Sequence, residues 1–265
     1  MSDGRAPFGA LRGAPWIVSI AFAAGVLAFW QLGAATGRLP EYILGPADIV
    51  GATFDQIHRG DLLGRVVPSL RRALSGFAIG SSIGVVLGLL AGVSRPFREL
   101  FDLTQAFTHP IPKIALFPAV AIVLGFTDPA RILIIAIAAF FPAYLNALNG
   151  ALGVNPGLVW VGRNVGASRV RIFFQVVLPA SLPRTVVGLR ISLMVSFIMM
   201  VATELVGHSN GLGAGLMDAY LEAEYGEMYA GILAVAVCGV LANAILLFVS
   251  RRLLSWQGAG GTGHD

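Results

Sequence analysis

The sequence has little charge, one lysine and one cysteine. Only 12% of its 265 residues are charged, whereas 56% are hydrophobic, and the mean hydropathy is +0.79. A soluble domain carries about a quarter charged residues, so this composition predicts that lipid is the main solvent. The net charge of +4 comes from arginines spread through loops, which indicates membrane orientation and not nucleic-acid binding.

Groups that would bind a metal or a nucleotide do not assemble in the sequence. The lone Cys238 excludes an intrachain disulfide and a cysteine metal cluster, and we interpret it as a small packing residue. The histidines at 58, 109, 208 and 264 form no metal-ligand pair. There is no Gly-x-x-x-x-Gly-Lys-Ser/Thr phosphate loop, so an ATP-driven process would need its ATPase on another polypeptide. We therefore predict no catalytic residue, metal or cofactor on this chain.

Long apolar stretches predict an all-α polytopic membrane protein with six transmembrane helices. The stretches lie at 16–36, 70–93, 101–126, 130–151, 184–206 and 228–250. About 20 apolar residues cross a hydrocarbon core of about 30 Å as a helix. A cleaved signal peptide is the alternative for 16–36. One transmembrane domain is predicted over 16–256, with disordered tails at 1–15 and 257–265.

The third stretch is predicted to be irregular. Only 114–126 is continuously apolar, which is too short to cross the core. Pro110, Pro112 and Pro118 interrupt its backbone hydrogen bonding, which a membrane tolerates only against protein or a water-filled cavity. This stretch is therefore a candidate pore-lining element.

Two further patterns predict helix faces. Ile49, Val50, Phe54 and Ile57 recur at helical spacing, which predicts a short amphipathic helix before the second span. Within the second span, glycines repeat every fourth residue at 76, 80, 84 and 88, so that a neighbouring helix can approach closely. We interpret this glycine face as packing within the subunit, with self-dimerisation as the alternative. Asp128 is predicted to cap the fourth span.

A polar interruption at 155–183 parts two strongly apolar stretches. Asn155 and Pro156 predict a helix start, and Gly166 predicts its end near 165. Ser168 is placed to cap a second helix running to about 178, which the prolines at 179 and 183 are predicted to end. The loop contains three arginines and no acidic residue. These features predict a helix, a glycine turn and a second helix that together form a docking surface.

The loop resembles the cytoplasmic coupling loop of binding-protein-dependent ABC importer permeases of the taurine, nitrate and alkanesulfonate type. The resemblance covers about residues 40 to 256. It rests on Gly162-Arg163-Asn164-Val165-Gly166-Ala167-Ser168 with Leu178-Pro179 and Pro183, on Ser69-Leu70-Arg71-Arg72 with Gly76-Phe77, on Pro110-Ile111-Pro112 with Pro118, on Phe140-Phe141-Pro142, and on Glu204-Leu205-Val206-Gly207 with Gly211-Leu212-Gly213. One departure concerns the partner contact, because Trp160, Val161 and Gly162 stand where such families usually have Glu-x-Ala.

The resemblance implies a homodimeric permease of a bacterial inner membrane. Two ATPase subunits, which bind ATP and Mg, would dock on the 155–178 loops, and a periplasmic or extracellular solute-binding protein would deliver the solute. The coupling residues it implies are Trp160, Gly162, Arg163, Gly166, Ala167, Ser168 and Arg169. It favours a small anion such as a sulfonate, nitrate or carboxylate, although a related subset carries pyrimidine precursors and other neutral or cationic compounds.

The distribution of basic residues predicts the orientation. The N-terminal tail, the 94–113 turn, the 155–184 loop and the C-terminal tail hold eleven Lys and Arg, whereas the opposite loops hold six. Positive charge is enriched in cytoplasmic loops, so both termini and the docking loop are predicted to be cytoplasmic. Arg71 and Arg72 lie on the wrong side for this rule.

Residues of the fifth span with hydroxyl, thioether or carboxylate side chains are candidates for the solute pathway. They are Ser192, Ser196, Met199, Thr203 and Glu204, with Pro110 and Pro112 from the third stretch. Hydroxyls in membrane helices also bond to their own backbone, which is the alternative. For Glu204 we favour a structural role in which its carboxylate bonds to the backbone of 207–213.

The outer loop at 207–227 is acidic. Asp218, Glu222 and Glu224 are candidate contacts with the binding protein, with a merely solvated surface as the alternative.

An ion-gradient-driven secondary transporter or channel is the rival function, and a membrane-embedded hydrolase is a weaker one. Secondary transporters often have duplicated halves and charges buried in the spans. Here no repeat relates 70–151 to 184–250, and charges are predicted to concentrate in loops.

Overall fold

A computed structural model describes residues 15–108, 111–207 and 210–254, with the backbone alone at 15 and 102–108. All regular elements in these ranges are helical. They are α1 (Pro15–Ala35), α2 (Pro46–Arg59), α3 (Asp61–Val93), α4 (Arg95–Thr108), α5 (Phe117–Leu124), α6 (Asp128–Leu152), α7 (Pro156–Asn164), α8 (Arg169–Ile172), α9 (Leu178–Leu205), α10 (Leu212–Leu221) and α11 (Tyr225–Leu253). Of the tail predicted at 1–15, residues 1–14 lie outside the described residues and Pro15 begins α1, and the tail predicted at 257–265 lies wholly outside them.

Five helical segments in the described ranges are long and apolar enough to cross a membrane. They are α1, α3, α6, the continuous helix Arg169–Leu205 and α11. The remaining predicted span, at 101–126, is broken into α4, a 3-10 turn at Lys113–Leu116 and α5, in agreement with its predicted irregularity. The all-α polytopic membrane fold is therefore confirmed.

In the α2–α3 region, the predicted amphipathic helix is confirmed and the predicted start of the second span is wrong. The amphipathic helix is present as α2, and Gly60, with φ at +84°, ends it with an N–H bond to the Ile57 carbonyl. However, α3 begins at Asp61 and not near 70, and Pro68 lies inside it. A proline removes only one backbone donor, and membrane helices tolerate this loss where neighbouring groups satisfy the freed carbonyl.

The glycine face of α3 packs against α6. A Cβ atom at Gly80 would overlap the Ala136 carbonyl group, and a Cβ at Gly84 would lie 2.5 Å from the Phe140 carbonyl oxygen. Glycines at 76 and 88 face Ile135 and Tyr144 of the same helix. The prediction of packing within the subunit is confirmed.

The bundle core consists of α3, α6 and α9. Its central apolar cluster contains Phe117 of α5, Ile134 and Ile135 of α6, and Leu193 and Met200 of α9. By contrast, α1 is exposed along its apolar length and contacts α2, where Gln31 Oε1 accepts a hydrogen bond of 2.9 Å from the Ala47 N–H. The three core helices position the groups described below.

Candidate functional site

The loop between α6 and α9 folds as a helix, a glycine turn and a helix, as predicted. Asn155 caps α7, because its Oδ1 accepts a bond of 2.8 Å from the Gly157 N–H. Gly166 has φ at +74°, and this left-handed backbone ends α7. Ser168 caps α8 through a 3.3 Å bond from the Arg171 N–H to its Oγ.

One face of this loop is anchored and the other is exposed. Ile172 is buried in a cluster with Val177 and Val154, against which Ala167 packs. A Cβ atom at Gly162 would lie 3.1 Å from Ile172 Cγ1, so α7 and α8 are closely apposed there. The exposed face carries Trp160, which is 67% exposed, with exposed Val161, Val165 and Val170. The arginines at 163, 169 and 171 are also exposed, so the loop presents an apolar and basic surface.

The second loop helix does not end where it was predicted to end. Helix continues without interruption from Arg169 to Leu205 through a π segment at Phe173–Val177, so the prediction that the prolines stop it is wrong. Pro179 lies in the first turn of α9, and the Leu178 N–H bonds to the Phe173 carbonyl in the wider π pattern. A π register shifts the pairing of carbonyls just before the prolines, so the helix accommodates them.

The candidate pathway residues of α9 face the interior of this chain. Ser192, Ser196, Met199 and Thr203 are all buried. Ser192 Oγ donates to the Ala139 carbonyl of α6 at 2.7 Å, and Ser196 Oγ donates to the Ser192 carbonyl at 2.8 Å. Thr203 Oγ1 likewise donates to the Met200 carbonyl at 3.0 Å. Ser196 and Thr203 thus bond to the backbone of their own helix, as in the alternative, whereas Ser192 bonds to the backbone of α6.

The proline-rich stretch is only partly described. Pro112 is exposed and precedes the 3-10 turn, whereas Pro110 lies outside the described residues. Lys113 opens that turn, with its Nζ 4.7 Å from the centroid of the Phe141 ring. The turn contacts both α6 and α9, so this stretch lies beside the two core helices.

Glu204 lies at the centre of a buried polar network. Its side chain is buried, and its Oε2 accepts a 2.8 Å bond from Ser69 Oγ and a 2.9 Å bond from the Gly213 N–H. Ser69 Oγ in turn accepts a 2.8 Å bond from the Leu212 N–H. The backbone contact predicted for this carboxylate is therefore present at Gly213.

Arg72 joins this network to α6. Its Nη1 lies 2.6 Å from Glu204 Oε1, its Nε donates to Asp128 Oδ1 at 2.7 Å, and its Nη2 donates to Asn210 Oδ1 at 2.7 Å. Arg71 forms a second ion pair with Asp128. The N-cap of α6 is Thr127, so the prediction that Asp128 caps the helix is wrong, and its carboxylate pairs with arginines instead.

Sequence reasoning missed this network. The sequence places Arg71 and Arg72 next to a predicted loop, and the prediction was that charges concentrate in loops. That prediction is wrong for Arg72, Arg131 and Glu204, which are buried in the bundle. The available signal was an Arg-Arg pair followed by an apolar run, with the acidic Glu204 at the end of another.

The acidic residues of the outer loop are exposed. Asp218 lies on α10, and Glu222 and Glu224 follow it. None of the three forms an ion pair within the described part of the chain.

Comparison with known proteins gives consistent matches. A family model described as "Binding-protein-dependent transport system inner membrane component" matches residues 84–255. The putative aliphatic sulfonates transport permease protein SsuC of Bacillus subtilis (strain 168) is 32% identical over 91% of this chain and 88% of the relative. The taurine transport system permease protein TauC of Escherichia coli (strain K12) is 30% identical over 82% and 76%, respectively. The nitrate import permease protein NrtB of Leptolyngbya laminosa is 29% identical over 79% and 78%.

A solved structure of the inward-facing MetNI methionine ABC transporter has the same fold. Its TM-score is 0.59 at 23% identity, over 76% of this chain and 97% of that chain. An all-α bundle with several candidate spans and a polar helix–turn–helix loop has the architecture of a multi-pass membrane protein. This chain belongs to the family of binding-protein-dependent transport system inner membrane components, the multi-pass permease subunits of ABC importers. The comparisons give no support to the rival secondary transporter or channel.

Proposed function

We propose that two copies of this chain form the membrane pathway of an importer for a small anion. Separate ATPase subunits, which bind ATP and Mg²⁺, dock on the exposed face of α7 and α8. The observation that carries this proposal is the exposed apolar and basic surface around Trp160. A large exposed aromatic rimmed by arginines is typical of a protein contact. Trp160 would supply by apolar burial the contact that an acidic residue usually makes in such loops.

The continuous helix from Arg169 to Leu205 supports a lever mechanism. At about 1.5 Å per residue, its 37 residues extend for roughly 55 Å. Closure of the ATPases would move α8, and the movement would pass along this helix into the bundle. Because α9 packs against α6 and α3, the bundle would switch between outward and inward access as packed units, without continuous bending.

The proposed solute is a sulfonate, nitrate or another small organic anion. This proposal rests on the relatives SsuC, TauC and NrtB, which are named for the transport of aliphatic sulfonates, taurine and nitrate. The proposed orientation places both termini and the α7–α8 loop in the cytoplasm, in keeping with the excess of Lys and Arg there. Asp218, Glu222 and Glu224 would then face the solute-binding protein. This contact is tested by reversing the charges on Glu222 and Glu224 and measuring the affinity of the complex for the solute-binding protein.

Docking is tested by co-purification with the ATPase subunit in detergent. The double substitution W160S/V161S removes two exposed apolar side chains, and we expect at least about a 30-fold loss of ATPase affinity, because buried Trp anchors contribute about 2 kcal/mol or more. Replacement of 160–171 by a Gly/Ser linker should abolish binding. The control is Y220S/L221S on α10, where both side chains are similarly exposed. Equal ATPase recovery from all four forms would show that docking occurs elsewhere.

The turn at Gly166 should set the angle between α7 and α8. A Cβ atom at Gly166 would meet no atom within 4 Å, so a substitution there acts only through its left-handed backbone. Valine disfavours this conformation by roughly 1–2 kcal/mol, whereas asparagine tolerates it. We expect Gly166→Val to lower solute-stimulated ATP hydrolysis about fivefold or more, with Gly166→Asn near the wild-type rate. Unchanged hydrolysis and import by Gly166→Val would exclude a role of this turn in coupling.

A further inference from the structure

Arg190 is the only charged residue of α9 between Thr185 and Thr203, and it is exposed on the surface of the chain. At about 1.5 Å per residue, the 28 residues of α9 extend for roughly 42 Å, close to the full thickness of a bilayer with its headgroups. Counted from the start of the predicted span at 184, Arg190 lies roughly 9 Å along the helix, and therefore within the hydrocarbon core. A charged side chain at this depth faces a water-filled cavity or a protein partner and not lipid chains.

The described part of the chain offers Arg190 no paired counter-charge. The sequence has no Asp or Glu between 129 and 203, which includes all of α6 after Asp128 and all of α9 before Glu204. Within the described ranges, Arg190 makes no ion pair or hydrogen bond. An anion that neutralises Arg190 must therefore come from outside this stretch of chain.

The exposed face of α9 beside Arg190 is apolar. Val187, Ile191, Met194 and Ile198 are exposed along it, whereas the hydroxyl groups of the same helix point into the bundle. A single cation among apolar side chains is weakly screened, so it attracts an anion more strongly than a cation in bulk water does. Because the surrounding side chains cannot donate hydrogen bonds, Arg190 dominates recognition on this face.

The broken stretch adds a second cation near the same core. Lys113, the only lysine of the chain, opens the 3-10 turn that contacts α6 and α9. Ile114, the next residue, packs against the apolar cluster that contains Leu193, which lies one helical turn after Arg190. This turn therefore adds positive charge, and no negative charge, to the region between α6 and α9.

We propose that Arg190 lines the solute pathway and binds the anionic group of the solute during its passage. This inference rests on the proposed function, because the pathway forms between two copies of the chain. Two-fold symmetry would bring both Arg190 residues to the same pathway. A guanidinium matches the planar arrangement of oxygens in nitrate and carboxylate and two oxygens of a sulfonate. Passage requires binding that is favourable enough for the anion to enter the site and weak enough for it to leave.

The test uses ethanesulfonate as the probe and the assembled permease–ATPase complex in nanodiscs of phosphatidylcholine. Equilibrium binding of radiolabelled ethanesulfonate is compared for the wild type, Arg190→Gln and Arg190→Lys. We expect Arg190→Gln to weaken binding about 10- to 100-fold, as for loss of a charge-assisted hydrogen bond, and Arg190→Lys to retain most of it. Arg251→Gln, an exposed arginine at the end of α11, is the matched control and should bind as the wild type does.

The ATPase and lipid readouts separate the possible failures. Recovery of the ATPase subunit with every variant shows that the fold and the ATPase docking of the proposed function are intact, so a binding defect then belongs to Arg190. Ethanesulfonate binding that is absent from the wild type, or equal in the wild type and Arg190→Gln, would overturn the inference. The phosphate of an anionic lipid offers the same oxyanion chemistry. The lipid source is tested in parallel nanodiscs that contain phosphatidylglycerol. If Arg190→Gln loses bound phosphatidylglycerol there, and ethanesulfonate does not compete for it, the anion is a lipid and the inference is wrong.

Discussion

Replacement of Gly80 by alanine should destabilise the chain by roughly 3 kcal/mol or more, although it adds a single methyl group. The added Cβ would overlap the backbone of α6 at Ala136. A flexible side chain could rotate away from such a methyl group, but a helix backbone cannot. The two helices would therefore have to separate along their whole glycine face, which also includes Gly84 and Gly88.

Gly64→Ala is the matched control for this prediction. Gly64 lies in the same helix, but a Cβ atom there would meet no atom within 4 Å. Alanine is favoured over glycine in a helix by roughly 1 kcal/mol, so this variant should be neutral or slightly stabilised. The measurement is thermal unfolding of both purified variants in detergent. Equal melting temperatures for Gly80→Ala and the wild type would contradict the close approach of α3 and α6.

Features set by neighbouring residues could be predicted from the sequence. The glycine face depends only on a glycine at every fourth residue, because any α-helix places residues at this spacing along one side. The loop helices depend on Asn155, Gly166 and Ser168, each of which acts on the backbone within three residues of itself. The broken stretch after 101 was predicted because prolines remove donors wherever they stand.

The continuous helix through Pro179 and Pro183 could not be predicted in the same way. Local rules treat a pair of prolines as a stop, because in water a freed carbonyl and a lost bond favour an end to the helix. The π segment before them changes the register of the bonds, and the packing of α9 against α6 holds the helix together. Neither the π register nor the packing is visible in a sequence window.

Burial of the charged and hydroxyl groups also depends on tertiary structure. Arg72 and Glu204 are 132 residues apart in the chain, so no local pattern relates them. The hydroxyl groups of α9 and the exposed Arg190 lie on different faces of one helix. The sequence does not indicate which of these faces packs against the bundle. The helical position of each group was predictable, whereas the direction of its side chain was not.

Single substitutions of Arg72 or Glu204 should each reduce the free energy of unfolding by about 3–5 kcal/mol. Arg72 is 3% exposed and Glu204 is 1% exposed, and their charged atoms lie 2.6 Å apart. Arg72→Met leaves the Glu204 carboxylate buried without its cation, and Glu204→Gln leaves the guanidinium with Asp128 as its one counter-charge and with its bond to Asn210. The cost arises from the charge that remains, because water cannot reach it.

The double variant R72M/E204Q should lose about 2 kcal/mol less than the sum of the single losses. With both charges removed, the glutamine amide oxygen can still accept the bonds from Ser69 and the Gly213 N–H, and Asp128 keeps its pair with Arg71. The measurement is a double-mutant cycle from SDS-induced unfolding in mixed micelles. The control pair is Arg95 and Glu99, whose side chains are 82% and 64% exposed, and for which each single loss should be within about 1 kcal/mol.

Additive losses would mean that the two charges are not coupled, and the network would then be only a set of separate contacts. A coupled pair has a mechanical consequence, because Glu204 lies at the end of the helix that begins at Arg169 in the α7–α8 loop. Through Arg72 and Asp128, the network fixes that end to α3 and α6. Movement at the Arg169 end of this helix reaches α3 and α6 only if the Glu204 end is coupled to them. The single variants should therefore bind the ATPase normally while solute-stimulated hydrolysis falls, whereas the exposed control pair should leave both unchanged.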